Sequence, residues 1–263
     1  MTEDRRRELL LSLVPALCAE RGVELGLGED ATTDKLFSAF RALVNTRPPI
    51  PADPGWLSMQ DELLQGVIAE AGVTRVEDVP PVAADPRLRL WRGDITTLAA
   101  DAIVNAANSQ MLGCWVPGHH CIDNAIHTFA GVQLRLACAE LMDAQGYEEP
   151  TGMAKITPAY NLPSRHVIHT VGPIAQGRPT ARHRLQLASC YRSCLDLAAK
   201  GGLHSVVFCC ISTGIFGFPQ REAAEIAVRV VREWLDAHED MDVTVVFNVF
   251  SCEDEAIYGS LLS

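Results

Sequence analysis

The chain lacks the long apolar runs of a membrane protein. No stretch approaches the roughly 20 residues that a bilayer-spanning helix needs, so no membrane association is expected. It is also short of positive charge, with 22 Lys and Arg against 33 Asp and Glu and a net charge of −11. Proteins that grip nucleic-acid phosphates are normally basic, so nucleic acid is not an expected partner. A small anionic ligand stays open, because backbone N–H groups and helix N-termini supply positive potential without basic side chains. A cleaved leader is not expected either. Acidic residues precede the first arginines, and Leu9, Leu10, Leu13, Val14 and Leu17 recur at amphipathic-helix spacing. The expectation is a cytoplasmic protein. Internal repeats and low-complexity tracts are absent.

A disulfide scaffold is excluded on similar grounds, since nine cysteines without a secretion signal do not make one. Cys209 and Cys210 lie in the apolar run VVFCCI, Cys190 and Cys194 are spaced i, i+4 in an expected helix, and Cys138 lies in the helical segment LRLACAEL; all five read as buried thiols. Cys114 and Cys121 differ, because His119 and His120 lie between them.

The 263 residues suffice for one large domain, or an ordinary domain with an appendage. Residues 1–84 read as a helical extension, with helices at 3–20 and 32–46 and a third from Ser58, a candidate N-cap. The proline-rich segment 46–54 connects them, since its prolines cannot lie inside a helix. Residues 85–263 alternate between strand and helix. Strands are expected at 87–91, 101–104, 154–158, 165–171, 205–211 and 242–249. Helices are expected at 123–142, 180–200, 220–238 and 253–262. That alternation predicts an α/β domain around a mixed sheet, with ligands bound beyond the carboxyl ends of the strands.

Three segments can carry chemistry. In WRGDIT, Asp94 follows a strand and a glycine; it either accepts from an exocyclic amine of a ligand or caps a turn. In DAIVNAANS, Asn105 and Asn108 follow a strand among small residues. They either bind sugar hydroxyls or form Asx-turns. In ISTGIFGFP, a buried strand runs through a glycine-containing loop straight into a helix. That order makes either a diphosphate cradle or an ordinary strand–helix turn. The loop carries neither a Walker ending nor GxGxxG.

In this order the segments resemble the macrodomain family, which recognises ADP-ribose. The matching landmarks are GDIT at 93–96, VNAAN at 104–108, DNAIH at 123–127, HTVGP at 169–173 and STGIFGFP at 212–219. The resemblance covers about residues 85–263 and implies a three-layer α/β/α sandwich with a mixed central sheet and an ADP-ribose cleft. It further implies that Asp94 binds the adenine amine, with Ile95 beside it. The loop Ser212, Thr213, Gly214, Ile215 and Phe216 wraps the diphosphate. Asn105 and Asn108 lie near the distal ribose, and Phe250 neighbours the adenine. Common hydrolytic macrodomains carry a glycine run before the aspartate matching Asp123. Here that run is CWVPGHHC, and its Cys-x4-His-x-Cys pattern resembles the zinc-dependent microbial branch linked to reversal of protein ADP-ribosylation. LVNTR at 43–47 and QDE at 60–62 resemble the N-terminal extension of that branch.

Thiolate and imidazole are the usual zinc ligands; structural sites take four and catalytic sites three with one position open. Cys114, His119 and Cys121 make three, next to asparagines expected at the reactive sugar, so an open catalytic Zn2+ site is expected. A closed site completed by His120, or no metal, are the alternatives. The expected activity is hydrolysis of mono-ADP-ribose from protein side chains, with ester-linked Asp/Glu the more labile target. Asp123 would orient or activate water, or else cap the helix that follows, and His127 would pack behind it. A non-catalytic ADP-ribose reader and an O-acetyl-ADP-ribose deacetylase are the competing readings.

Overall fold

The computed structural model describes residues 1–28 and 30–263. Three helices open the chain: α1 (Glu3–Arg21), α2 (Thr33–Asn45) and α3 (Pro54–Ala71). Thr2 and Thr32 cap the first two, accepting from the N–H groups of Arg5 and Lys35. α1 runs through Pro15 without ending, and buries Leu9, Leu10, Leu13, Val14 and Leu17. The third helix starts four residues before the expected Ser58. Asp53 caps it by accepting from Trp56 N–H at 3.0 Å, and Pro54 fills the first position, where its missing N–H costs nothing. Phe40, Trp56, Leu63 and Leu64 complete a core shared by these helices, and Val132 of the following domain joins it.

The seven-stranded sheet has the order β2 (Pro81–Val82), β3 (Asp85–Arg92), β9 (Thr244–Val249), β8 (Ser205–Phe208), β5 (Ala102–Ala107), β7 (His166–Val171) and β6 (Ala154–Pro158). β2 and β6 run antiparallel to their neighbours; the inner strands are parallel. A separate short pair, β1 (Thr74–Arg75) and β4 (Leu98–Ala99), lies outside it. Val104, Ile168, Val207, Val246 and their neighbours are wholly buried, as strands covered on both faces must be. α6 (Ala181–Lys200), α7 (Gln220–Ala237) and α8 (Cys252–Leu262) pack in series. α4 (Ile122–Ala130) and α5 (Val132–Gln145) pack on each other and on β5 and β6, and α2 and α3 rest against α4. The result is the expected three-layer α/β/α arrangement preceded by helices. Among the described residues, no helix is long and apolar enough to cross a membrane.

Two elements depart from expectation. The apolar run 205–211 leaves the sheet after Phe208. β5 pairs with β7 along its whole length but with β8 only at Ala102↔Val206 and Ile103↔Val207. The pairing of β5 with β8 therefore stops short of their carboxyl ends, at the edge of the sheet where ligands of such folds bind. The expected helix 123–142 is two helices broken at Gly131, with φ 96°. A Cβ there would meet side-chain atoms of Gln133, Gln60 and Asn161 at 2.5, 2.6 and 3.0 Å. Gln60 lies across the break and accepts from Val132 N–H at 2.9 Å, so α3 supplies the cap that α5 lacks.

Candidate functional site

Two loops follow the carboxyl ends of β8 and β5. The first, residues 209–219, leaves β8 and enters α7. Ser212 sits at φ 66°, a left-handed conformation that costs a non-glycine residue about 1–3 kcal/mol and recurs at functional turns. Its carbonyl accepts from Phe218 N–H at 2.9 Å, while Ala175 and Gln176 N–H both donate to the Phe216 carbonyl at 2.8 and 3.0 Å. These bonds turn the loop outward. Among the described residues, the N–H groups of Gly214, Ile215 and Phe216 find no acceptor. No side chain caps the start of α7 either. Unpaired N–H groups beside an uncapped helix N-terminus could hold an anion.

Phe250, directly after β9, is 80% exposed at the rim, and Ile215 is 73% exposed. Asp94 is exposed too. Its Oδ1 accepts from Thr96 N–H at 2.9 Å and from Thr96 Oγ1 at 2.7 Å, capping the turn Ile95–Thr97. The capping alternative is thus realised, and both bonds fall on one carboxylate oxygen. Ile95 buries its side chain in the core, so only its backbone can meet a ligand. Asn248, which no motif marked, donates to the Gly93 carbonyl at 2.9 Å and fixes this turn to β9.

The second loop, residues 108–121, joins β5 to α4. Asn108 forms the Asx-turn: its Oδ1 accepts from Gln110 N–H at 3.1 Å, and its Nδ2 donates to the Gly113 carbonyl at 3.1 Å. Asn108 thereby orders the start of the cysteine–histidine stretch. Gly113, at φ 77°, lies against the His127 ring; a Cβ would sit 2.8 Å from its Cγ. The donor atoms of Cys114, His119 and Cys121 converge to within 4.8 Å of one another, all half-buried. Cys114 Sγ lies 3.6 Å from His119 Nδ1. His120 is exposed and outside the group. Cys121, not Asp123, caps α4: its Sγ accepts from Asn124 N–H at 3.4 Å. Burial, with Cys114 and Asp123 close by, pushes the Cys121 thiol up to about 12. Two thiols and an imidazole gathered this closely fit a tetrahedral soft-metal site with three protein ligands.

Asp123 lies in the first turn of α4, only 6% exposed. Burial lifts its carboxyl to about 6, partly offset by the Asn105 amide and the Arg135 charge. Asn105 is fully buried and donates to Asp123 Oδ1 at 2.8 Å; its Nδ2 also lies 3.1 Å from His169 Nδ1. The amide nitrogen must face the carboxylate, so His169 Nδ1 accepts and its Nε2 carries the proton toward Thr157 Oγ1 at 3.0 Å. Burial holds His169 down at about 4, hence neutral. A second group with converging donor atoms, His127, Cys138 and His169, lies here, but both His169 nitrogens are already engaged. Arg135, also unmarked by any motif, is 4% exposed. It donates to the carbonyls of Leu112, Val44, Arg47 and Asn45 and lies 4.2 Å over the Trp115 ring. The one sequence signal for it is a charge on the otherwise apolar face of α5.

Fold and site together describe an α/β domain with a loop of unpaired backbone N–H groups after β8 and a cysteine–histidine cluster after β5. A family model for the Macro domain matches residues 104–227. A Treponema medium protein named protein-ADP-ribose hydrolase is 51% identical over 265 residues, covering 100% of both chains. A Staphylococcus aureus (strain MSSA476) protein of the same name is 49% identical over 226 residues, covering 86% of this chain and 84% of its own. The structure of a Trypanosoma brucei macrodomain in complex with ADP-ribose superposes with TM-score 0.65 at 31% identity, over 85% of this chain and 95% of that one. The chain belongs to the macrodomain family.

Proposed function

We propose that the protein is a zinc-dependent hydrolase that removes mono-ADP-ribose from modified protein side chains, with ester-linked Asp and Glu as the preferred targets. The observation that carries this reading is the Cys114–His119–Cys121 cluster, which sits on the loop ordered by Asn108 and leads directly into Asp123. The relatives named protein-ADP-ribose hydrolase support the activity, and the ADP-ribose complex of the Trypanosoma brucei macrodomain supports the ligand.

In this reading the free amides of Gly214, Ile215 and Phe216 hold the diphosphate, with Ser212 and Thr213 shaping the turn. Asp94 accepts from the adenine amine through the carboxylate oxygen that does not cap the turn, and Phe250 covers the ring. The distal ribose then lies by the second loop, beside Asn108. Cys114, His119 and Cys121 would hold Zn2+, which would supply a Lewis acid when bound. Asp123 holds the attacking water and takes its proton; its raised affinity for protons suits a base that must also release one near neutral pH. Asn105 does not touch the sugar. It fixes the Asp123 carboxylate and is braced by neutral His169. The setting is cytoplasmic, and the partner is the modified protein.

The test is release of free ADP-ribose from substrates modified through Asp/Glu, Ser and Arg linkages, with and without a zinc chelator. Chelator-sensitive release, fastest from the ester, is expected. Tight ADP-ribose binding without release from any linkage, in protein shown to contain zinc, would identify a reader rather than an enzyme.

A further inference from the structure

The last turns of α2 make a contact that the reaction itself does not use. Asn45 is 1% exposed; its Oδ1 accepts from Gly118 N–H at 3.0 Å and its Nδ2 donates to Thr128 Oγ1 at 2.9 Å. One turn earlier, Arg41 donates to the His119 carbonyl at 3.0 Å and to Asn124 Oδ1 at 3.0 and 3.2 Å. Asn124 donates in turn to the Val116 carbonyl at 3.1 Å. The backbone between the two cysteines is thus held from outside at Val116, Gly118 and His119. Within that stretch, among the described residues, one backbone bond exists, His119 N–H to the Val116 carbonyl at 3.2 Å. α2 cannot drift away, because Arg135 grips the carbonyls of Val44, Asn45 and Arg47.

We propose that Asn45 and Arg41 are positioning residues for the Cys114–His119–Cys121 site, and that the N-terminal helices act as a clamp that pre-forms the metal loop. Trp115, Val116 and Pro117 are exposed and give the loop little packing of its own. Unclamped, it samples many conformations, and the entropy of ordering it falls on metal binding. Clamped, its donors wait in place. Partners that orient ligands from behind typically change metal affinity by about 10- to 100-fold. The consequence for zinc rests on the function proposed above; the clamp itself does not.

Full-length wild type, Asn45→Ala and Arg41→Ala would be compared in two measurements. The first is hydrogen exchange of metal-free protein, which reads local opening directly. Peptides spanning 113–121 should exchange faster in both variants, while those spanning 209–219 stay unchanged. Asn45→Asp, which keeps the acceptor for Gly118 N–H but loses the donor to Thr128, should restore only part of the protection. The second is loss of bound zinc to a competing chelator, which should be about tenfold faster in both alanine variants, with ADP-ribose affinity unaltered. Wild-type exchange in the loop of both variants would overturn the clamp. So would loosening spread across the whole domain, since that marks a fold determinant. Arg41, half-buried at the surface, keeps the test valid if Asn45→Ala fails to fold. A wild type that holds no zinc, with the loop still loosened in the variants, would support the clamp and sink the metal reading instead.

Discussion

The two loops at the carboxyl ends of β8 and β5 are built on opposite principles. Residues 209–219 present backbone: their ordering bonds run to carbonyls within the loop and from residues 175–177, and among the described residues the N–H groups of Gly214, Ile215 and Phe216 have no acceptor. Residues 108–121 present side chains, and much of their ordering comes from elsewhere in the chain, from Asn45 and Arg41 on α2 and Asn124 on α4. A backbone cradle needs only local conformation. A side-chain cluster needs its supports fixed in space, because each donor sits on rotatable bonds. Under the function proposed above, binding and chemistry are separable, each carried by its own loop.

The largest test of that separation is Asp123→Asn. It should lower kcat by about 10²- to 10⁴-fold, the usual contribution of a positioned base, with ADP-ribose affinity unchanged by calorimetry. Next comes Cys114→Ser, or chelation of the wild type. Loss of a Lewis acid worth several kcal/mol should reduce turnover by about 10²-fold or more, while ADP-ribose still binds. An equal loss of binding would show that the loops are not independent. From the other side, Gly214→Glu places a negative charge at the cradle, where its Cβ meets no atom within 4 Å. Affinity for ADP-ribose should fall roughly tenfold or more by like-charge repulsion, with zinc content untouched.

The smallest effect concerns the buried support under the second loop. His169 falls from 6.5 in the unfolded chain to about 4 in the fold, so the folded state binds fewer protons across that interval. The stability this neutral ring contributes is present above pH 6.5 and lost as pH falls toward 4. Melting temperature should decline over that window, and His169→Gln should flatten the decline by calorimetry.

The strand–loop–helix order at 205–237 was legible because its parts are adjacent in sequence. The convergence of Cys114, His119 and Cys121 was legible for the same reason, since they lie within one short segment. The roles of the two asparagines were not. Asn105 and Asn108 look equivalent in NAAN, yet the strand's alternation sends one into the core against Asp123 and leaves the other to order the loop. The N-cap alternative for Asp123 fails because Cys121 holds that position, which leaves Asp123 in the first turn, facing Asn105.

By itself the amino-acid sequence determined the layered α/β fold, the helices that precede it, the strand–loop–helix order at 205–237 and the clustering of Cys114, His119 and Cys121. Each rests on periodicity or on neighbours along the chain. Only the tertiary structure decided the early end of the β5–β8 pairing, the break at Gly131, the burial that raises Asp123 and lowers His169, and the reach of Arg41 and Asn45 across some 80 residues to the second loop. Those depend on which distant groups share a buried volume, and no local spacing encodes that.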